Sequence, residues 1–362
     1  MTPILRVVLV VALALAACGD GDDAATDAGA ETSAAPEATS APESTSAGTP
    51  AAAFPLTIEH KFGATTITAV PERVVSVGYN EHDFLLALGV VPVGLRDWYG
   101  EQPNSVWPWA TDQLGDETPD VIGTTDGINY EAVAALDPDV IVGIWSGMTK
   151  EEYDLLSAIA PTVAQSDAYA DYGTPWQEQT EILGLVTDRT AEAAAAVARI
   201  DARLAEVRAE HPEWEGLTAT VAFFFGDAPG AYNTSDPRSR FLSDLGFTVP
   251  EEYDVDDDGS GFFEVSAENL GQIDTDLIVW VAGDESQYAD LVSALPTRQT
   301  LRATQEGREI FASTEITGAF SHSSPLSLGF VIEELVAEIE LAVDGDPTTV
   351  VPSAAQFADA GG

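Results

Sequence analysis

The sequence predicts an α/β fold of two Rossmann-like lobes with mainly parallel sheets, joined by a single long helix. Short apolar runs alternate with helical patterns from residue 65 onward, which is typical of parallel strands covered by helices. The roughly 300 residues that follow Phe54 are too many for one small core, so two lobes are expected. The longest helical tract, residues 176–210, lies between two such alternating stretches. The expected boundaries are an N-terminal lobe over 54–175, a connecting helical segment over 176–212, a C-terminal lobe over 213–345 and a tail over 346–362.

In the N-terminal lobe, buried strands are predicted where β-branched residues cluster between turn signals. These strands are Arg73–Val77, Val90–Leu95, Asp120–Gly123 and Val140–Ile144. The helices predicted between and after them are Glu81–Leu88, closed by Gly89, then Glu131–Leu136, then Tyr153–Ile159, which ends before Pro161.

In the connecting segment, apolar residues step by three and four, which gives one helical stripe. These residues are Val197, Ile200, Leu204 and Val207. The tract is predicted to break near Gly184 and to end at Pro212. The α/β alternation then restarts with the strands Ala219–Phe225, Leu277–Val281 and Glu309–Ala312, and with the helices Arg238–Leu245, Tyr288–Leu295 and Leu326–Val343.

The first eighteen residues indicate export. Arg6 precedes a nine-residue apolar run, Val7–Leu15, which is too short to span a bilayer but suits a signal peptide. The run leads into Ala16-Ala17-Cys18, which resembles a bacterial lipobox. Cys18 is the only cysteine of the chain, so it cannot form an internal disulfide, and we expect it to carry a lipid anchor. An ordinary secretory signal with a chance cysteine is the alternative.

Residues 19–53 are expected to form a disordered tether. They contain no Lys, Arg or aromatic residue and are rich in Ala, Thr, Ser, Pro, Gly, Asp and Glu. Such a composition buries too little apolar surface to offset the entropy of ordering. The protein is therefore expected outside the cytoplasm, held to the outer face of the cell membrane only through its anchor.

The charge is strongly negative, with 61 acidic against 14 basic residues and a formal net charge of −47. This sign excludes nucleic acid as a partner. The acids are spread along the whole chain, which favours a role in solubility in a salty medium over selection of cationic ligands.

Five segments, taken in order, resemble the periplasmic binding proteins of ferric-siderophore, haem and cobalamin importers, and most closely their siderophore-type lipoproteins. The segments are residues 71–94 (from Pro71-Glu72-Arg73 to Pro92-Val93-Gly94), 129–141 (Asn129-Tyr130-Glu131 onward), 153–163, 264–279 and 324–328. The resemblance covers about residues 56–343. It implies the class III fold of that family, in which a rather rigid long helix links the two lobes.

The resemblance also implies a docking surface. In that family one glutamate on each lobe binds arginines of the permease dimer, and the matching positions are Glu131 and Glu268. Exposed carboxylates at a fixed separation can recognise two basic pockets. Alternatively, Glu131 follows Asn129 and Glu268 follows Ser266, so each glutamate could simply favour a helix N-terminus.

A ligand is expected beyond the carboxyl ends of the strands, where the two lobes would face each other. Aromatic rings give rigid contact surface there, and arginine can bind a carboxylate, hydroxamate or catecholate oxygen in two places. The predicted ligand-binding residues are Tyr79, Asn80, Arg96, Trp98, Trp107, Trp145, Tyr232, Arg238, Arg240 and His322. Tyr232, Arg238 and Arg240 are assigned to the stretch after a strand, and Phe320-Ser321-His322 to a loop. The resemblance places Arg96 where siderophore binders carry an arginine after the second strand.

Other roles are open for these residues. Trp98 and Trp107 could pack a surface loop, Arg238 and Arg240 could pair with the abundant acids, and His82 is expected to be structural.

No resident metal or cofactor is expected. The four histidines, at 60, 82, 211 and 322, lack ligand spacing. Tyr79, Tyr232 or His322 could serve as an axial ligand if the bound molecule were haem. The stretch Asp254–Gly259 copies the front half of a calcium loop, but its twelfth position is Val265, so an acidic surface turn is expected.

Together these features predict a monomeric, lipid-anchored receptor of an ABC importer. It would perform no chemistry, capture an iron(III)–siderophore chelate between its lobes and deliver the chelate to the permease dimer. Haem or cobalamin is the alternative ligand within the same family. A secreted lipoprotein hydrolase is the alternative of a different class, although no nucleophile elbow, Walker loop or zincin helix is present. A surface sensor that reuses the fold is a third possibility.

Overall fold

The computed structural model describes residues 54–225, 228–254, 260–284, 286–355 and 357. The strands are β1 (Leu56–His60), β2 (Gly63–Ile67), β3 (Val74–Ser76), β4 (Gly94–Arg96), β5 (Asp120–Thr124), β6 (Gly127–Ile128), β7 (Val140–Gly143), β8 (Thr162–Ala164), β9 (Ala219–Phe225), β10 (Ala228–Tyr232), β11 (Phe262–Glu264), β12 (Leu277–Val281) and β13 (Glu309–Phe311). The α-helices are α1 (Glu81–Ala87), α2 (Thr111–Leu114), α3 (Tyr130–Ala135), α4 (Lys150–Ser157), α5 (Trp176–Val186), α6 (Thr190–Glu210), α7 (Pro237–Asp244), α8 (Ser286–Ala294), α9 (Arg302–Gln305), α10 (Thr314–His322), α11 (Pro325–Ala342) and α12 (Pro352–Ala355). Short 3₁₀ helices cover Pro103–Ser105, Pro108–Ala110, Pro212–Trp214, Glu251–Asp254, Ala267–Ile273 and Pro296–Thr300.

The N-terminal lobe is built on a six-stranded sheet with the order β6-β5-β4-β3-β7-β8. Its strands run parallel except for the pair β5–β6. Helices connect the parallel strands, as the alternation of apolar runs and helical patterns predicts. The carboxyl ends of β3, β4, β7 and β8 therefore lie at one edge of the sheet. A separate hairpin, β1–β2, precedes this sheet.

The C-terminal lobe is built on a five-stranded sheet with the order β11-β10-β9-β12-β13. Strands β9, β12 and β13 are parallel, and β10 is antiparallel to both β9 and β11. Strand β10 is not predicted from the sequence, and the assignment of Tyr232 to a stretch after a strand is wrong, because Tyr232 ends β10. The Gly226-Asp227 pair between two apolar runs is the sequence signal for such a hairpin.

Two helices, α5 and α6, connect the lobes. At about 1.5 Å per residue, the 21-residue α6 is roughly 30 Å long. A break near Gly184, as predicted, is observed: α5 ends at Val186 and α6 begins at Thr190, with Gly184 inside the last turn of α5. A Cβ at Gly184 would come within 2.5 Å of the Ala193 side chain, so this glycine permits close packing of the two helices.

Two further differences concern the ends of elements. The strand predicted from Val90 begins only at Gly94, because Pro92 has no amide donor for a sheet ladder. The segment Phe320-Ser321-His322, predicted as a loop, forms the last turn of α10. Ser313 caps this helix by accepting a hydrogen bond from the Ile316 amide at 3.2 Å, so the helical segment starts directly after β13.

One continuous apolar core passes through both lobes. It joins strands β3 and β7 to β9 and β12 by way of α1, α5, α6 and α11. Two further clusters cover the outer faces of the C-terminal and N-terminal sheets. The shared core means that the lobes are packed on one another along this side of the molecule. In the tail, Ser353 of α12 accepts a hydrogen bond from the Phe311 amide at 3.1 Å, which places the tail against β13.

Some predictions lie outside the described residues. These are the signal peptide and Cys18, the tether over 19–53, and most of the Asp254–Gly259 loop. Within the described part of the chain, no helix is both long and apolar enough to span a bilayer.

Candidate functional site

The carboxyl edge of the N-terminal sheet carries polar and aromatic residues on short loops. Tyr79 follows β3, Arg96 ends β4 and Trp145 follows β7. Parallel strands end at a common edge, so the sheet itself brings these three residues together.

Arg96 is the cation at this edge. Its guanidinium lies 4.1 Å from the Tyr79 ring centroid. The Nη2 group donates to the Tyr79 hydroxyl at 2.8 Å, and Nε donates to the Thr124 carbonyl at 2.8 Å. No carboxylate of the described residues contacts Arg96 directly, although Arg96 lies close enough to the buried Glu81 to lower the pKa of that carboxyl group.

The Tyr79 ring that contacts Arg96 belongs to an aromatic cluster with Trp98 at its centre. The Trp98 ring centroid lies 5.4 Å from that of Tyr79, 5.3 Å from that of Trp145 and 5.4 Å from that of His322. His322 belongs to α10 of the other lobe. The cluster therefore spans the interface between the lobes, and we call it the interlobe aromatic cluster.

Trp107 and His322 form the interior side of the cluster. Trp107 is only 1% exposed. A Cβ added to Gly318 of α10 would lie 2.7 Å from the Trp107 ring, so the ring packs directly on this glycine. His322, also 1% exposed, places Nδ1 2.9 Å from the Gly318 carbonyl. In this arrangement neither side chain offers surface to a ligand.

Asn80 also joins the two lobes. Its amide nitrogen donates to the His322 carbonyl at 3.0 Å, and its amide oxygen accepts from Gln179 of α5 at 2.8 Å. The side chain is thus fully used in packing one lobe against the other.

In the C-terminal lobe a second arginine stacks on a tyrosine. The Arg238 guanidinium lies 4.2 Å from the Tyr232 ring centroid, and it also donates to Asp236 at 2.8 Å and to Ser321 at 3.1 Å. Burial alone would lower the pKa of the Arg238 guanidinium, but the Asp236 carboxylate together with Tyr232 and Tyr99 outweighs burial, and that pKa is raised. The pairing of Arg238 with an acid, weighed from the sequence, is thus observed.

Arg240, two residues later, is placed differently. Its Nη1 group donates to the Gly173 carbonyl of the N-terminal lobe at 3.0 Å. No carboxylate of the described residues forms an ion pair with it. Desolvation lowers the pKa of the Arg240 guanidinium, whereas the pKa of Arg238 is raised.

Buried ionisable residues lie directly behind the cluster on α1. Burial raises the pKa of Glu81 to about 7, although its carboxylate accepts a hydrogen bond from the Trp145 amide at 2.6 Å. Burial also raises the pKa of Asp83, whose Oδ2 accepts from Trp109 at 2.8 Å and from Ser324 of α11 at 2.6 Å. Burial together with the neighbouring His322 lowers the pKa of His82 to about 3, which fits the structural role expected for His82.

Three residues in or beside the cluster are not among the predicted ligand-binding residues, namely Tyr99, Tyr172 and Gln179. The Tyr172 ring centroid lies 4.9 Å from that of Trp145 and 6.2 Å from that of Tyr79. Tyr172 follows β8, a three-residue strand too short to show a pattern, so the rule of searching after each strand could not reach it. Tyr99 donates to the Thr317 carbonyl at 3.3 Å and, next to Trp98, could have been proposed from its position.

The two glutamates matched to docking positions are both exposed. Glu131 lies in the first turn of α3, where Asn129 is the N-cap and accepts from the Ala132 amide at 3.1 Å. Glu268 lies in the first turn of the 3₁₀ helix Ala267–Ile273, and the Ser266 side chain makes no capping bond there.

Groupings of His, Cys, Asp and Glu suited to a metal ion are absent from the described part of the chain. The polar groups of the interlobe aromatic cluster are instead hydrogen-bond donors and ring faces, which suit an organic ligand with anionic oxygens.

Comparison with known families decides the identity of the fold. A family model described as "Periplasmic binding protein" matches residues 74–313, which is more than half of the chain. The chain belongs to this family. The resemblance drawn from the five segments is therefore confirmed.

Solved structures agree with this assignment. The periplasmic binding protein described here is 35% identical to a periplasmic solute binding protein from Mycobacterium smegmatis, with a TM-score of 0.71 over 79% of this chain and 98% of that one. It is 28% identical to the iron uptake substrate-binding protein PiaA of Streptococcus pneumoniae, in a structure with ferrichrome, with a TM-score of 0.68 over 80% and 99% of the two chains. The predicted fold class is confirmed by these structures.

Among characterised sequences, this periplasmic binding protein is 26% identical to the probable siderophore-binding lipoprotein YfiY of Bacillus subtilis. The match covers 69% of this chain and 78% of that protein. It is thus a member of a family of extracytoplasmic ligand-binding proteins.

Proposed function

We propose that the protein captures an iron(III)–siderophore chelate outside the cytoplasm and delivers it to the permease of an ABC importer. Two kinds of support exist: the family, whose members matched here include proteins named for siderophore or ferric citrate binding, and the composition of the interlobe aromatic cluster. The observation that carries the proposal is Arg96, a guanidinium that contacts the Tyr79 ring of the interlobe aromatic cluster and no carboxylate of the described residues.

The acidic composition of the chain makes the absence of a carboxylate contact at Arg96 significant. The chain has 61 acidic residues and 14 basic ones, yet Arg96 contacts no acid of the described residues. Arg96 keeps its full charge for an anionic oxygen, which it can bind in two places. Hydroxamate, catecholate and carboxylate groups of an iron chelate carry such oxygens, and the rings beside Arg96 would cover the apolar parts of the ligand.

The proposed contacts divide into two groups. Three residues of the cluster are half-buried and would contact the ligand first, namely Tyr79, Trp98 and Tyr172. The buried residues would reach it only when the lobes separate, namely Asn80, Arg96, Trp107, Trp145, Tyr232, Arg238 and His322. Separation would therefore precede binding, and closure of the lobes would bury the chelate.

The remaining parts of the proposal concern partners. Glu131 and Glu268, one on each lobe, would dock onto the two halves of the permease, and lipidated Cys18 would keep the monomeric protein at the membrane. The protein would bind and release its ligand without chemical change.

Tryptophan fluorescence tests the ligand. Because Trp98 and Trp145 lie in the cluster, we expect saturable quenching by at least one ferric siderophore in a panel that also contains haem, cobalamin and free Fe³⁺. Trp98→Phe should remove most of the quenching. Trp214→Phe is the matched control, because Trp214 stacks on His211 away from the cluster and its loss should leave the quenching intact. Saturation by haem or cobalamin alone would refute the siderophore assignment.

Charge reversal tests the docking. Replacing both Glu131 and Glu268 by Arg should abolish uptake of the iron chelate by cells while the affinity of the purified protein stays the same. Normal uptake by the double variant would contradict this part of the proposal.

A further inference from the structure

A cavity of about 260 Å³ lies between the connecting helices and α7, apart from the interlobe aromatic cluster. Trp176 of α5 and Leu204 of α6 line it on one side, and Arg240, Phe241 and Asp244 of α7 line it on the other. Its volume is below the roughly 300–1,000 Å³ typical of pockets for drug-sized ligands, so it suits a smaller molecule.

Two opposite charges border the cavity without touching each other. Arg240 and Asp244 stand four residues apart on α7 and so share one face of the helix. In α4 the same spacing closes an ion pair, since Lys150 Nζ lies 2.6 Å from Asp154. No such pair forms between Arg240 and Asp244, although both belong to the described residues.

Both charges lack a direct ion-pair partner among the described residues, although Asp236 and Asp244 act on the pKa of Arg240, and Arg240 and Arg208 act on the pKa of Asp244. The only hydrogen bond from the Arg240 guanidinium to a described residue is the one to Gly173, which leaves most of its donors free. Asp244 makes no hydrogen bond to a described residue. Although part of Asp244 is exposed, its carboxylate lies in a concave site next to Asp201, and desolvation together with that neighbour raises its pKa to about 6.

Apolar side chains complete the walls. Trp176, Leu204 and Phe241 are buried, and Leu328 of α11 adds a further apolar surface. A ligand for this cavity must therefore offer an anion, a cation and an apolar group at once.

We propose that this cavity binds a small zwitterion, an α-amino acid with an apolar side chain. Its carboxylate binds Arg240, its ammonium group binds Asp244, and its side chain packs on Trp176 and Phe241. An anion alone would leave its charge facing Asp244, and a cation alone would face Arg240, so a zwitterion satisfies both groups. This inference does not depend on the iron–siderophore assignment.

Isothermal titration of the full-length protein with three matched probes tests the proposal. L-Leucine carries both charges, L-leucinamide lacks the carboxylate and 4-methylpentanoate lacks the ammonium group. We expect leucine to bind saturably and each of the other two to bind about tenfold more weakly or worse, since each loses one charged hydrogen-bonded contact.

Variants assign the contacts. Asp244→Asn should weaken leucine binding about tenfold and should not weaken the binding of 4-methylpentanoate, whereas Arg240→Gln should weaken the binding of both. Lys150→Gln is the control, because it removes a charge from the surface pair at the same helical spacing and should change nothing. Circular dichroism and the melting temperature show that each variant is folded.

Three results would overturn the proposal. They are the absence of saturable leucine binding, equal affinities for leucine and 4-methylpentanoate, and leucine binding that is unchanged in folded Asp244→Asn and Arg240→Gln. Chelate binding by Asp244→Asn is expected to be normal, so failure here leaves the proposed function intact.

Discussion

Each lobe presents an arginine stacked on a tyrosine ring, and the two stacks differ in charge. In the N-terminal lobe, Arg96 lies 4.1 Å from the Tyr79 ring and contacts no carboxylate of the described residues. In the C-terminal lobe, Arg238 lies 4.2 Å from the Tyr232 ring and is held by Asp236 at 2.8 Å.

The difference shows that two similar arginine–tyrosine pairs have different roles. Arg238 is neutralised within its own lobe, so it contributes mainly to the stability of the lobe. Arg96 keeps its charge, so it can contribute to binding. The same contrast holds for the nearby acids, since Asp236 has a cationic partner and buried Glu81 is in direct contact with none.

The largest effect is expected from breaking the C-terminal stack. Arg238→Met leaves Asp236 buried without its partner and should lower the free energy of unfolding by about 3–5 kcal/mol. Adding Asp236→Asn should restore much of this stability, because no unpaired charge then remains and Asn still caps α7. Urea denaturation measures both variants. A double variant no more stable than Arg238→Met would show that the ion pair is not the cause.

The next effect concerns Glu81, the buried acid that contacts no cation directly. The pKa of Glu81 is raised to about 7 in the folded protein, from 4.5 in the unfolded chain, so the folded state holds the proton more tightly. The free energy of unfolding should therefore fall as the pH rises from about 4.5 to 7, by up to about 3 kcal/mol from this group.

Glu81→Gln stays neutral and should lose this component of the pH dependence. Denaturation of the variant and the parent protein at several pH values between 4 and 8 gives the difference between them. A difference in unfolding free energy that stays constant with pH would contradict the raised pKa.

The free guanidinium should matter for affinity. Arg96→Ala should weaken the ferric chelate found by the fluorescence titration about 10- to 100-fold, the cost of one charge-assisted contact. Arg96→Lys should recover only part of this loss, because an ammonium group cannot bind in two places or stack on Tyr79 in the same way. The stable Arg238→Met, Asp236→Asn double variant should lose less affinity than Arg96→Ala. A larger loss of affinity in the double variant than in Arg96→Ala would mean that the Arg238 stack contributes more to binding than the Arg96 stack.

The smallest effect separates the two docking elements. Asn129 caps α3 through its side chain, whereas Ser266 makes no such bond. Asn129→Ala should cost about 1 kcal/mol and Ser266→Ala only a few tenths of that, as measured by thermal unfolding. Equal losses would mean that the Ser266 side chain caps its helix in solution.

Patterns within one segment predicted many elements closely. Strand Leu277–Val281 was predicted with its observed bounds, and the closing helix, predicted as Leu326–Val343, is observed as Pro325–Ala342. A helix or a buried strand is recognised by its apolar periodicity, which depends only on residues close together in the sequence. The three-residue β8 and the antiparallel β10 were not predicted, because each is defined by the strand with which it pairs and not by a pattern of its own.

The candidate site was predicted less completely for the same reason. The rule of searching after each strand found Tyr79, Arg96, Trp98 and Trp145, which the N-terminal sheet brings together. It could not find Tyr172, which follows an unrecognised strand, nor show that Trp107 packs on Gly318 of the other lobe.

The sequence by itself determined the alternation of strands and helices, the two lobes, the excess of acid and the family. Only the tertiary structure decided which arginine is paired and which is free. Arg238 pairs with Asp236, only two residues away, but the surroundings of Arg96 and the joining of the lobes depend on contacts between segments far apart in the chain, such as Arg96 with Thr124 and Asn80 with His322. Local periodicity carries no information about such contacts, because they form only when distant segments of the chain pack together.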